Sequence, residues 1–165
     1  MHALSRLLLG MISLAAVSAT AEPPSVPPPQ VQAPPYGAPI TLELAKKAAA
    51  AAEKEALSAG ENGAAIAVVQ PNGALIYFEK MDDSTYVAIE FAQSKARTAA
   101  LTRHATGGWG PNATFPSPDP KLTTLPGGFP IVIGGRTVGA IGVSGVHAQG
   151  IDDVRVAAAG LRAVE

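Results

Sequence analysis

Apolar and small residues return every three to four positions through Leu44, Ala45, Ala48, Ala52 and Ala56, a spacing that predicts a helix with a narrow, alanine-lined face. Thr41 offers a capping oxygen at its start, and Gly60 with Asn62-Gly63 supplies the left-handed backbone that ends it. Residues 64–69 are an unbroken apolar run. In 74–80, Leu75, Tyr77 and Glu79 fall on one face and Ile76 and Phe78 on the other, so two strands are predicted around a turn at Gln70-Pro71-Asn72-Gly73. Helical spacing resumes at Ile89, Ala92, Ala96, Ala99 and Ala100, giving a helix over 86–103 with capping oxygens at Asp82, Asp83 and Ser84.

The stretch from Gly107 to Pro126 holds five prolines and is long for a connection within a compact domain, which marks a functional or a mobile loop, with a short strand predicted over 122–125. Two runs rich in β-branched residues, 130–133 and 136–144, then flank Gly134-Gly135, a pair suited to a two-residue hairpin turn. Asp152-Asp153 opens a last helix through Val156, Ala157, Gly160 and Leu161. The order α-β-β-α-β-β-β-α, with neighbouring strands antiparallel, predicts an α+β fold in which helices pack on an antiparallel sheet. Gly139, Gly142 and Gly145 recur inside the second hairpin strand, where a missing side chain marks a bulge or a close approach, and the expectation is one face open to a flat ligand.

The segment from Gly127 to Gly145, with its Gly-Gly-x-Pro hairpin ending Gly-Ala-Ile-Gly-Val-Ser-Gly, resembles the GlcG/HbpS family, which includes the C-terminal domain of PduO-type proteins. Met81-Asp82 and the helical Lys-Ala-Arg-Thr-Ala at 95–99 extend the resemblance, which covers residues 41–165. It implies a profilin-like sandwich, assembly into symmetric homo-oligomers, and haem binding in some members. Gln70 and Asp83 depart from the family pattern, which commonly has aspartate and glycine at these positions.

Composition narrows the picture further. Residues 1–21 combine Arg6, an apolar run from Leu7 to Val17 and a small-residue Ala19-Thr20-Ala21 ending, the pattern of a cleaved secretory signal, so a periplasmic or secreted chain without a stable membrane anchor is expected. Residues 22–39 carry eight prolines and almost no large apolar side chain, which predicts an extended tether ahead of one domain over 40–165. The formal net charge is −1, becoming −2 once Arg6 leaves with the signal, and charges are mixed along the chain, which excludes the electrostatic footprint of a nucleic-acid binder. The chain has no cysteine, so disulfides, thiolate metal sites, covalent haem attachment and a cysteine nucleophile are excluded.

Candidate chemistry is sparse. After signal removal His104 and His147 are the only imidazoles, hence the candidate ligands for a haem iron or another transition metal. Each also has a plain structural reading, at a helix end for His104 and in a loop for His147. Met81, Phe129 and the surface at Gly139 and Gly142 are candidate apolar walls, with Trp109 and Phe115 as covers. Lys95, Arg97 and Arg103 are candidate partners for carboxylates. Asp82 and Lys95 match the family's recurring patterns and can equally form an ion pair. Ser144 lies in Gly-Val-Ser-Gly-Val, which lacks the last glycine of a hydrolase elbow, and no phosphate-cradling glycine loop occurs. Three readings follow: an exported haem- or tetrapyrrole-binding protein, an enzyme or accessory protein acting on a small hydroxy or oxo acid, and an assembly module without small-molecule chemistry.

Overall fold

The computed structural model describes residues 33–108 and 119–165. The expected signal segment, most of the proline-rich tether, and Trp109 and Phe115 lie outside the described residues.

Helix α1 (Leu42–Ser58) begins where the Thr41 side chain accepts a hydrogen bond from the Leu44 N–H, and it buries Ala45, Ala48, Ala49, Ala52 and Ala56. Strands β1 (Ala65–Val69) and β2 (Leu75–Lys80) form the first antiparallel pair. Helix α2 (Tyr86–Thr102) follows, then strands β3 (Gly128–Ile133) and β4 (Arg136–Ser144) and helix α3 (Asp153–Arg162). The four strands make one antiparallel sheet in the order β2-β1-β4-β3, the α+β class that the pattern predicts. Residues 122–125 form no strand. The Gly134-Gly135 turn forms as expected, with φ of 58° and 72°, both in the region that the tight turn between β3 and β4 requires.

Alternation along β1 divides the core into two layers. Ile66 and Val68 pack with Ile131, Ile141 and Val143 against α1 and α3, whereas Ala65, Ala67 and Val69 pack with Ala140 against Ala88, Ala92, Ala96, Ala99 and Ala100 of α2. The second layer is built almost entirely from alanine and glycine, so α2 lies very close to the sheet. Gly142 shows how close. A Cβ on it would run into the carbonyl oxygen of Ala92 and the amide nitrogen of Ala96, and would stand 3.0 Å from the Ala96 Cα.

That packing corrects one expectation. The surface at Gly139 and Gly142 is not an open face for a flat ligand. α2 covers Gly142, and Ile40 covers Gly139, where an added Cβ would stand 2.9 Å from the Ile40 Cγ2 and 2.5 Å from the Val69 carbonyl oxygen. Strand glycine signals close approach in both cases, and here the neighbours come from the same chain.

The end of the tether is part of the domain. Tyr36 forms a parallel bridge with Thr137, the Gly37 N–H donates to the Thr137 carbonyl at 2.9 Å, and the Ile40 N–H donates to the Val138 carbonyl at 2.7 Å. This segment runs along the part of β4 that β1 does not reach, since β1 pairs with β4 only from Ala140 to Ser144.

Candidate functional site

Lys95 is almost fully buried at 3% exposure and lies on the sheet side of α2. Its ammonium donates to Asp153 Oδ2 at 2.7 Å, to the Val143 carbonyl at 2.9 Å and to Ser144 Oγ at 3.3 Å. An ammonium has three N–H donors and all three are used, so Lys95 holds the fold together instead of meeting a ligand. Its partner is Asp153 and not Asp82, whose side chain is exposed and whose backbone carbonyl accepts from Lys80 at 3.2 Å.

Asp153 works with both oxygens, since Oδ1 accepts from the Val146 N–H at 3.0 Å. Asp152 alone caps α3, accepting from the Arg155 N–H at 2.8 Å. At the start of α2 the capping expectation fails, because the cap is Thr85, which makes no side-chain cap bond. Asp83 instead accepts from the Asn62 side-chain amide at 3.1 Å.

Glu61, which sequence reasoning passes over, organises the loop after β4. Its carboxylate is buried and accepts from the backbone N–H groups of Gly63 at 2.6 Å, His147 at 2.5 Å and Ala148 at 2.8 Å. Burial pushes its pKa upward, but the hydrogen bonds from His147, Ala148, Gly63 and Asn62 outweigh it and hold the carboxyl below the ordinary glutamate value of 4.5. The only cue in the sequence is a carboxylate inside the Gly-Glu-Asn-Gly turn.

The remaining candidates are spread over the domain. Met81 is buried in the α1/α3 layer, and Phe129 packs half-buried against the same layer. His147 is exposed, and Glu61 fixes its backbone.

At the other end of α2, Arg103 takes the left-handed conformation that closes the helix, with φ of 60°. Its guanidinium lies 4.9 Å from the Tyr36 ring centre and donates to the Pro34 carbonyl at 3.2 Å. The Tyr36 hydroxyl in turn donates to the Leu101 carbonyl at 2.9 Å. His104, the next residue in the chain, is exposed. Its Nδ1 lies 2.7 Å from the Thr102 carbonyl oxygen, and because a carbonyl only accepts, Nδ1 carries the proton. In the neutral ring this leaves the lone pair on Nε2, the tautomer in which histidine ligates a metal with its second nitrogen oriented by a carbonyl.

Haem can be tested against this arrangement. The donor chemistry fits at His104, whose ring is exposed and held by the Thr102 carbonyl. Among the described residues there is no cluster of three or more histidine, aspartate or glutamate side chains to hold a bare metal ion. A cavity of about 220 Å³ lies elsewhere, by Arg97, and is smaller than the roughly 300–1,000 Å³ typical of enclosed ligand pockets. Among the described residues, the donor chemistry that suits a haem iron therefore lies at the exposed His104.

Comparison with known proteins adds a family. A model of the family described as haem-degrading, HbpS-like proteins matches residues 40–162. The chain is similar to protein GlcG of Escherichia coli K12, with 42% identity over 85 residues, or 48% of this chain and 62% of GlcG, so the match spans less than two thirds of that relative. The crystal structure of HbpS overlays with a TM-score of 0.70 at 30% identity, covering 78% of this chain and 92% of HbpS. That of a PduOC–haem complex overlays with a TM-score of 0.66 at 22% identity, covering 76% and 94%, a likeness of fold.

Proposed function

This chain belongs to the HbpS-like family, and from that membership we propose that it is an exported protein that binds or sequesters haem, with His104 as the protein ligand to the iron. The observation that supports His104 over His147 is the 2.7 Å contact from Nδ1 to the Thr102 carbonyl, which presets the ligating tautomer. Bound haem would supply the iron chemistry. The chain's own part is to offer Nε2 and to keep the ring oriented through the Thr102 carbonyl. A haemin titration of the purified chain, followed at the Soret band, tests the reading: saturable binding is expected, and an unsaturated linear rise contradicts it.

Two further parts of the proposal rest on separate observations. Export rests on the signal-like residues 1–21, and cell fractionation with N-terminal mass analysis should find the chain outside the cytoplasm beginning at Glu22. Assembly into a homo-oligomer rests on the outer face of α2, where Tyr86 is 85% exposed and Val87 and Phe91 lie exposed beside it. Light scattering that gives a monomer at every concentration would remove the assembly. Among the described residues no helix is long and apolar enough to cross a membrane.

A further inference from the structure

Three different donors close the C-terminal end of α2. The Arg103 N–H reaches the Ala99 carbonyl at 2.9 Å, but the left-handed backbone at Arg103 then turns the chain out of the helix. The next N–H groups go elsewhere: that of His104 donates to Thr102 Oγ1 at 3.3 Å, and that of Thr106 to the Gly128 carbonyl at 2.9 Å. The last carbonyls of the helix are therefore served by side chains. The Tyr36 hydroxyl lies 3.2 Å from the Ala100 oxygen and 2.9 Å from the Leu101 oxygen, and His104 Nδ1 donates to the Thr102 oxygen at 2.7 Å.

Tyr36 belongs to a strap, residues 34–40, and the strap sets where its hydroxyl falls. The Thr137 N–H donates to the Pro35 carbonyl at 2.9 Å, and Arg136 Nη1 donates to the Tyr36 carbonyl at 3.1 Å. Gly37 permits this approach, since a Cβ there would stand 2.9 Å from the Arg136 Cβ. Only Ile40 of the strap is buried, whereas Pro35, Tyr36, Ala38 and Pro39 are exposed. Hydrogen bonds and the Arg103 stack hold Tyr36, then, with little apolar burial, which is the character of a segment that opens before the domain unfolds.

We propose that Tyr36 is a positioning residue for His104: the docked strap fixes the last turn of α2 so that the Thr102 carbonyl keeps the ring in its ligating tautomer. The inference rests on the haem reading above. Thr102 stands between two residues tied to the strap, Leu101 through its carbonyl and Arg103 through the Tyr36 ring and the Pro34 carbonyl. With both neighbours held, the Thr102 carbonyl has a fixed direction and retains the Nδ1 proton of His104. Without the Tyr36 hydroxyl the Ala100 and Leu101 carbonyls lose their donor, the turn loosens, and the Nε2 lone pair is present in a smaller fraction of chains. Docking of the strap thereby sets the fraction of chains competent to ligate iron.

Long-range proton-nitrogen NMR of the full chain without haemin reads which ring nitrogen of His104 carries the proton, with His147 as the internal reference. The parent should show Nδ1–H. Tyr36→Phe keeps the ring over Arg103 and removes only the hydroxyl, so it should melt like the parent, gain Nε2–H at His104 and leave His147 unchanged. Gly37→Val keeps the strap from seating against Arg136 and should move His104 in the same way without altering α2. Haemin affinity should fall in both variants at least in proportion to the lost Nδ1–H fraction. An unchanged His104 tautomer in Tyr36→Phe, an equal change at His147, or parental haemin affinity beside a changed tautomer would overturn the proposal. If the parent binds no haemin, the haem reading fails, while the tautomer comparison still decides whether Tyr36 positions the ring.

Discussion

Asp153 on α3 places Oδ2 2.7 Å from the Lys95 ammonium on α2, so helices on opposite faces of the sheet are joined through one buried ion pair at the end of β4. The pair is asymmetric: Lys95 is 3% exposed and Asp153 is 24% exposed. Asp153→Ala leaves a buried, uncompensated ammonium and should cost about 3 kcal/mol or more in urea denaturation. Lys95→Met removes the buried charge and leaves a carboxylate that water still reaches, so it should cost less. Equal losses for the two variants would contradict this asymmetry.

The approach of α2 to the sheet should be equally demanding. Gly142→Ala drives a methyl group into the α2 backbone at Ala92 and Ala96 and should lower stability by about 3 kcal/mol. Gly135→Ala, in an open turn with φ of 72° and no neighbouring atoms, should cost only about 1 kcal/mol of left-handed strain. Thermal melts of the two variants check the contrast.

Two glutamates should impose opposite pH dependences. Glu61 has its pKa lowered in the fold, so its stabilising contribution is complete above 4.5 and is lost as pH falls through the lower folded value. Glu79 is raised, first by burial and then by the charge of Glu53, while its hydrogen bond from the Tyr77 hydroxyl opposes the rise. Its ionisation therefore drains stability as pH climbs from 4.5 through the folded value. Stability–pH curves should show Glu61→Gln with a flatter acid limb and Glu79→Gln without the decline above 4.5. Hydrogen exchange at Gly63, His147 and Ala148 should quicken in Glu61→Gln, since that carboxylate accepts from their N–H groups.

Much of the fold was legible because alanine at helical spacing and the Gly134-Gly135 turn are local signals. The strand glycines were legible as marks of close approach, but not as to what approaches: only the tertiary placement of α2 and Ile40 decides between a ligand and the chain itself. The same holds for Lys95. Its partner Asp153 is 58 residues away, and an Asp-Asp pair before a helix reads equally as two caps. Glu61 escaped notice because its role depends on backbone N–H groups 86 and 87 positions later. His104 was found for its scarcity, whereas its tautomer follows from a backbone carbonyl that only the folded helix end brings to it. Leu122–Leu125 has strand-like composition but gains no partner strand among the described residues, and composition alone does not pair it.

The most direct test of the account is a haemin titration of the Glu22–Glu165 chain beside its His104→Ala and His147→Ala variants, read at the Soret band. Saturable binding by the parent chain and by His147→Ala, with a shifted Soret maximum and roughly tenfold or greater weakening in His104→Ala, is the predicted result. No saturable binding in the parent chain, or binding lost in His147→Ala and retained in His104→Ala, would contradict it.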